Sequence, residues 1–462
     1  MSKRIEPDYL QMLLLPPCVE DWVSEDHFAR FVREFVDEYT SSGGVFAECE
    51  SKDGRPHYSA KVLAAVWLYC FAKKIYSVRQ IEAECRSDMG LIWLTGNRAP
   101  DHSTLCRFFK ENREALNALF GCSVRSAVNL GIVSLDLVAV DGTKAAASAS
   151  FKGALVARDL KKFLAALDEE IAAYGELVEG SEGDAPQILP EGLCEREALR
   201  EAIREQIEAL SAENAAAISP VDPDARGVLT SEGVKLGYNL QAAVDSSGVV
   251  VGCLASNQAN DASLLNPVLD EAEWAAGAPI EMAVADGGYF SGENLAGAID
   301  LARCATVAAK SDKIAPEFAF HARYFERGEG DCLVCPIGGI LTGSFDRVKE
   351  GIPVRVFRCQ DHCCCPHAAQ CRGSSTVRTV DVSVHWDAIK AQYVHLQNEP
   401  AAEFVRLRKQ IVEPYFGWVK RTMGIRRLEH RGLAAVDAYW RFIGLVRNLG
   451  ILYRHRAQTT AG

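Results

Sequence analysis

Three carboxylates in this chain stand in contexts that could hold a divalent cation. Asp286 ends the apolar run IEMAVA and precedes two glycines in IEMAVADGGYF, residues 280–290, and Asp141 follows Leu135, Leu137, Val138 and Val140 in SLDLVAVDGTK. Apolar runs that stop at a turn signal read as buried strands, and ligands in open α/β sheets gather beyond strand ends. Each aspartate is therefore expected at the end of a core strand, although an Asp-Gly pair also serves as a plain turn-former. A third acid, Glu413, approaches from a helix, because Ile411, Val412, Tyr415, Phe416 and Val419 around it have helical spacing. Three such anions repel one another unless a cation neutralises them, and hard oxygen ligands suit Mg²⁺ or Mn²⁺.

A second group of chemically able residues is sulfur-bearing. Seven of the sixteen cysteines fall between residues 332 and 371, in CLVCPIGG and FRCQDHCCCPHAAQCRG. Two thiolates on one tight turn and two on another can complete a tetrahedron, so the pattern predicts a structural Zn²⁺ site. The expected ligands are Cys332, Cys335, Cys365 and Cys371, with Cys359, Cys363, His362 or His367 as substitutes; a reduced, metal-free loop is the alternative. The remaining cysteines are scattered singly and read as reduced core residues in a chain that shows no signal-peptide cleavage site.

The elements that must position these groups are legible in outline. Near the N-terminus, Ser24 can cap a helix with Phe28, Phe31, Val32, Phe35, Val36 and Tyr39 on one face. Ser59 begins a second helix, and Ser77 to Gln80 has the capping-box spacing of a short third one ending near Cys85. After a loop with Gly96 and Pro100, Asp101 caps a helix that buries Leu105, Phe108 and Phe109 and leaves Arg107 and Lys110 outside. Short helices with a partly basic outer face fit a helix-turn-helix-like unit over residues 1–130; a plain helical bundle has the same periodicity. Residues 131–462 then alternate strands and helices. A helical hairpin is expected over 153–218, a β-hairpin in KLGYNLQAAVD and GVVVGCLAS, a helix starting at Asp261, and a Cys-rich insertion over 325–378. Asp245 and Asp261 are rival carboxylates for which turn and cap roles suffice, with support of the acidic site as the alternative for Asp261, and His385 and His430 read as surface or packing residues.

Taken together, VAVDGTK, YNLQAAVD, the AND-x-x-L segment at 259–264, ADGGYF and IVEPYFGWVK-x-x-x-G-x-R-R resemble a bacterial insertion-sequence transposase of the DDE type. The resemblance covers most of the chain. It implies an α/β fold with a ribonuclease H-like catalytic core, a mixed sheet flanked by helices, behind an all-helical N-terminal DNA-binding domain. It also implies Asp141, Asp286 and Glu413 as the catalytic triad and a DNA contact at Lys420. Related families often carry Tyr and Arg at fixed spacing before the Glu, whereas this chain has Arg406, Arg408 and Lys409 and no Tyr. Two-metal-ion phosphoryl transfer would then nick an element end and drive in-line attack by the freed 3′-hydroxyl on target DNA. Lys420, Arg421, Arg426 and Arg427 could hold phosphates, and Trp418 reads as a packing residue. A catalytically silent DNA-binding regulator and a stand-alone metal-dependent nuclease are the alternatives.

The formal net charge of −12, taken as an average, argues against a nucleic-acid partner, but the charge is unevenly placed. Between Asp168 and Glu213 fourteen acidic residues face three arginines, whereas from Glu403 to Arg431 eight Lys or Arg face three Glu. Phosphate binding follows the local field, not the total. The longest apolar run, VLAAVWLYCFA, falls short of the ~20 residues of a membrane helix. A bacterial-type cytoplasm, double-stranded DNA as partner and a homo-oligomer on DNA are the expectations.

Overall fold

The computed structural model describes residues 18–47, 57–149, 221–230, 232–309, 320–349, 351–360, 364–372 and 375–461, with scattered positions between 155 and 219. Two compact units result: residues 1–130 with 441–462, and residues 131–440. The helical hairpin expected over 153–218 falls almost wholly outside the described residues.

The N-terminal part of the first unit is helical, with α1 (Phe28–Ser41), α2 (Ala60–Ala72), α3 (Val78–Glu84), α4 (Met89–Thr95), α5 (His102–Glu111) and α6 (Arg113–Asn129), of which α1 and α5 bury one apolar face each. The α2 sequence is apolar all round, and it is buried from Leu63 to Phe71. Its Trp67 and Phe71 meet Phe109 of α5 and Phe442 at ring separations of 4.9–6.4 Å. Each such large side chain contributes roughly 1.5–3 kcal/mol when fully buried. That ring cluster is why residues 441–462 count with the N-terminal helices.

Three local expectations need correction. The α1 cap is His27, whose ring accepts from Ala29 N–H, not Ser24. Ser77 precedes α3 without a side-chain capping bond, so the capping box does not form. The stretch read as loop after Cys85 contains α4, whose cap Asp88 accepts from Leu91 N–H at 3.0 Å and whose end is Gly96, at φ +62°.

The second unit is organised by a six-stranded mixed sheet. Its strands are β1 (Val138–Ala146), β4 (Arg226–Thr230), β5 (Gly233–Asp245), β6 (Val250–Ser256), β7 (Ala283–Ala285) and β8 (Ala305–Val307), while β2 (Leu155–Val156) and β3 (Ala217–Ile218) form a separate ribbon. The long strand β5 pairs with β1 along one edge, and its other edge is shared by β4 and then β6. On the far side of β1 the direction changes, because β7 and β8 run parallel to it. Parallel neighbours need crossovers, supplied by α7 (Leu265–Ala276) between β6 and β7 and by α8 (Gly292–Asp300) between β7 and β8.

A second sheet is antiparallel throughout, in the order β13-β12-β11-β10-β9, from β9 (Glu326–Arg327) through β10 (Cys332–Val334), β11 (Ile340–Lys349) and β12 (Ile352–Cys359) to β13 (Thr379–Ser383). It has its own core of Phe325, Leu333, Leu341, Phe357, Val380, Val382 and Trp386. Between β12 and β13 lies the short α9 (Ala368–Arg372), and α10 (Trp386–His395), α11 (Glu399–Gly417) and α12 (Leu433–Ala461) follow the sheet. Among the described residues no helix is long and apolar enough to cross a membrane.

Candidate active site

Register brings two of the aspartates together. Parallel pairing matches Val138 with Ala283 and Val140 with Ala285, so the next residues, Asp141 and Asp286, lie side by side on neighbouring strands. Strands sit about 4.8 Å apart. The structure corrects one detail, since Asp141 is not at a strand end: β1 runs on to Ala146 because β5 pairs with it along its whole length. It is β7 that stops, and Asp286 turns the chain by accepting Gly288 N–H at 2.8 Å. Turn-forming and site-lining are thus the same act.

A third aspartate joins them, and it is Asp261. Its Oδ1 accepts from Lys144 Nζ at 3.0 Å, Asn239 Nδ2 at 2.7 Å and Gln241 Nε2 at 2.8 Å. A Cβ built on Gly288 would meet Asp286 Oδ1 at 2.9 Å and Asp261 Oδ2 at 3.2 Å, so both carboxylates reach toward one small volume. The helix cap assigned to Asp261 is not formed, because α7 starts at Leu265, three residues later than that reading needs. Gln241 completes the support: its amide oxygen accepts from the buried Tyr289 hydroxyl and its backbone carbonyl from Trp440 Nε1. Gly142 faces it across the β1–β5 pair, where a Cβ would stand 2.4 Å from Gln241 Nε2.

Electrostatics confirm that this is one neighbourhood. Burial pushes the Asp141 carboxyl above its usual range, the Arg408 guanidinium pulls it back, and Asp286 pushes it up again. Burial likewise holds the Tyr289 phenol well above its ordinary value, reinforced by Asp261, Asp141 and Asp286. Arg408, on the buried face of α11, donates to Asp141 Oδ2 at 2.5 Å. Burial lowers the Lys420 ammonium, with Asp141 acting in the opposite sense, which puts Lys420 within the field of the same carboxylate.

Beside Asp141 opens a cleft of about 510 Å³ lined by Lys144, Lys235, Lys420, Arg421 and Arg426, with Glu232 the acidic residue on its wall. Lys420 and Arg421 lie on a π-helical turn, Trp418–Thr422, that widens the end of α11. After it the chain returns to the sheet: Leu428 N–H donates to Ala146 O, and Arg427 Nε donates to Ala147 O. Trp418 stacks against Tyr415, in keeping with a packing role.

The comparisons with known proteins fall on both units. Residues 17–111 match the model of a Transposase domain (DUF772), and residues 334–453 match that of a Transposase DDE domain. The chain resembles an insertion-sequence DDE transposase. Curated relatives from two strains of Halobacterium salinarum, each described as a probable transposase for insertion sequence element ISH11, are 29% identical over 104 residues. That match covers 22% of this chain and 29% of the relatives, so the chain spans less than a third of their length.

Within this transposase-like chain, the DDE match contains Glu413, Lys420, Arg421, Arg426 and Arg427, whereas Asp141 and Asp286 precede it. Glu413 is exposed on α11, a helix that packs on β1, β5, β7 and β8. Among the described residues no three acidic, thiol or imidazole side chains are gathered closely enough to hold an ion, so Asp141, Asp286 and Glu413 do not form a closed set. Arg107 and Lys110 are exposed on α5, inside the first match, while Leu105, Phe108 and Phe109 are buried.

The four expected zinc ligands are not presented together. Strand alternation along β10 puts Cys332 on the face opposite Leu333 and Cys335, where its Sγ donates to Glu329 O at 3.1 Å. Two features of the acidic site go beyond the sequence reading: Arg408, named there only among the basic residues before Glu413 and not as the partner of Asp141, and the Asn239–Gln241 pair. A usable signal existed for the pair, since polar residues at i and i+2 of an otherwise apolar strand mark one polar stripe on a buried face.

Proposed function

We propose that this chain is a DNA transposase that cuts the ends of an insertion sequence and joins them to target DNA. The observation that carries the reading is the adjacency of Asp141 and Asp286 on parallel strands beside a cleft walled by five cationic residues. The order β6-β5-β1-β7-β8, three antiparallel strands followed by two parallel ones, supports a ribonuclease H-like core.

The carboxylates suit Mg²⁺ or Mn²⁺ on chemical grounds. Asp141 is half-buried and repelled by Asp286, and among the described residues one N–H and one guanidinium occupy its oxygens, so lone pairs remain for a hard cation. Asp141 and Asp286 would hold it, with Glu413 brought in from α11. Bound there, the ion would act as a Lewis acid on a phosphodiester and lower the pKa of a water or 3′-hydroxyl.

The chain's own residues do the rest. Lys144, Lys235, Lys420, Arg421 and Arg426 neutralise and orient the DNA backbone in the cleft. Asn239, Gln241 and Lys144 fix Asp261, and Asp286 is held by its own turn, so the acidic edge is rigid before substrate arrives. Arg107 and Lys110 on α5 supply contacts to element ends. Double-stranded DNA is the partner, pairing of two ends calls for at least a dimer on DNA, and a bacterial-type cytoplasm is the setting.

The test is a strand-transfer assay with labelled ends of the element that encodes the chain and a supercoiled target. Joined product in Mg²⁺, absent with Asp286→Asn, is expected. Cutting without joining would reduce the reading to a nuclease, and binding without either would reduce it to a regulator.

A further inference from the structure

We propose that Leu229 and Val234, paired near the tip of the β4–β5 hairpin, form an apolar wedge that enters the base stack of DNA lying in the cationic cleft, and that the displaced base is received by the cleft's apolar lining. This role rests on the transposase reading, since it needs DNA in that cleft.

The hairpin holds two aliphatic side chains together at its end. Register pairs Leu229 directly with Val234, and the next pair, Thr230 with Gly233, closes the hairpin. Cross-strand partners share a face with their Cβ atoms about 5 Å apart, so the two side chains make one ridge. The turn is fixed from within. Thr230 Oγ1 donates to Gly233 O at 2.8 Å, Glu232 N–H donates to Thr230 Oγ1 at 3.2 Å, and Gly233 takes a φ of +98°. Val228 and Leu236, one and two residues nearer the body of the sheet, are buried, so the ridge begins where the hairpin leaves the core.

The ridge itself faces water, with Leu229 72% and Val234 63% exposed. β4 is also the outermost strand on its side of the sheet. Outer strands ordinarily turn charged or polar residues to solvent. A solvent-facing Leu–Val pair at such an edge contributes to neither core nor solubility, and it fits a surface that is covered in use.

The cleft says what covers it. Leu229, Thr230, Glu232 and Lys235 are the hairpin's share of its wall, and Lys144, Lys420, Arg421 and Arg426 line other parts. Glu232 accepts from Lys235 across the turn, and that bond, with Arg426 acting in the same sense, holds its carboxyl below the usual range. The acid is thus answered within the wall, and the remaining field selects a polyanion. Leu240, Val419, Ile425 and Trp440 line the same cleft, although phosphates need no apolar lining. A nucleobase does, because its faces stack on apolar and aromatic groups. Cationic wall, apolar lining and adjoining aliphatic ridge together match a nucleotide whose base has left the stack, and aliphatic side chains pushed between base steps are a means of unstacking them. Gly142, which follows Asp141 in β1, also lines the cleft, so the distorted nucleotide would lie beside the acidic edge.

The test uses the full chain and duplex oligonucleotides carrying an end of the element that encodes it, with 2-aminopurine placed in turn at each position near the cleavage point. Without Mg²⁺, the parent chain is expected to raise the fluorescence at one position as that base unstacks. In Leu229→Ala combined with Val234→Ala the rise should be lost, while affinity stays within about threefold because the cationic wall is intact. With Mg²⁺ the same variant should nick at least about tenfold more slowly. A mismatch at the responding position removes much of the cost of unstacking and should return its nicking toward the parent rate. A damaged fold would not be rescued in this way. Binding and cutting by the parent without a fluorescence rise, an unchanged rise in the variant, or no rescue by the mismatch would each overturn the wedge and leave the transposase reading standing; a parent that binds no DNA would overturn both. Light scattering without DNA covers the rival occupant: self-association of the parent that the double variant abolishes would mean that the ridge meets a second copy, and would overturn the proposal.

Discussion

Replacing Arg408 by methionine isolates what holds a buried carboxylate in the absence of a bound cation. The substitution keeps most of the aliphatic stem that packs under α11 and removes only the guanidinium. Arg408 and Asp141 have side chains 8% and 21% exposed, so the pair is largely desolvated. Breaking such a pair from one side costs about 3–5 kcal/mol, and the low end applies because Asp141 keeps the Gly142 N–H and some water. About 3 kcal/mol is expected, roughly a hundredfold in the local opening constant. Since a chain of two compact units does not unfold in one step, the proper assay is amide exchange of β1, which reads opening of this sheet alone. The pH dependence has a definite sign. Asp141 is already above its ordinary value through burial, and losing Arg408 raises it further. A carboxyl raised in the folded state destabilises fully above its folded pKa and not at all below the unfolded value of about 3.9. The Arg408→Met defect should therefore be largest near pH 7.5 and fade as the solution is acidified. In an Asp141→Asn background it should vanish, since no buried anion is left to strand. A defect below about 1 kcal/mol at pH 7.5, or one of equal size in the Asp141→Asn background, would refute this reasoning.

Other outcomes are equally definite. Asp141→Asn, Asp286→Asn and Glu413→Gln should each abolish cleavage in Mg²⁺ while leaving affinity for element ends largely intact, and near-parent cutting by any one removes that residue from the proposed triad. Arg107→Ala with Lys110→Ala should flatten the salt dependence of DNA binding, by roughly 0.9 in the log–log slope for each phosphate no longer neutralised; an unchanged slope means α5 does not touch DNA. Gly288→Ala places a methyl 2.9 Å from Asp286 Oδ1 and should lower cleavage at least about tenfold with little change in DNA affinity, measured by parallel nicking and binding titrations. Parent-level nicking in that variant would show that Asp286 has room to move.

Much of the scaffold could be read from periodicity because the elements concerned bury one face each. The α5 pattern of Leu105, Phe108 and Phe109 inward with Arg107 and Lys110 outward is found as expected, and so is the hairpin of β5 and β6. What periodicity could not supply were features decided by pairing. It ended β1 at Asp141 because the turn-like Gly142 follows, yet that glycine is in the strand to let Gln241 approach from β5. It missed α4, whose seven residues are too few for a helical period to stand out. It grouped Cys332 with Cys335 by spacing, but spacing carries no information about which face of β10 each thiol takes.

The same limitation bears on the acidic site itself. Counting carboxylates along a sequence shows where anions are but not their counter-charges, which arrive from remote segments: Arg408 lies 267 residues from Asp141, and Lys144 lies 117 from Asp261. The charge imbalance is therefore smaller than three mutually repelling anions would make it. Two of the three aspartates that gather here already have a cation, whereas Asp286 has its own turn N–H and, among the described residues, no ion-pair partner. The unmet charge is thus localised at the Asp286 side of the β1–β7 edge, with Asp141 next to it through one strong but single-sided ion pair. In the proposed mechanism a divalent cation would be held at that edge and not by Asp261, whose Oδ1 already accepts three hydrogen bonds. Asp261 would then act as a positioning residue for the polar stripe of β5, and the proposed mechanism draws its third carboxylate from α11, where Glu413 is exposed on a helix packed against β1 and β7.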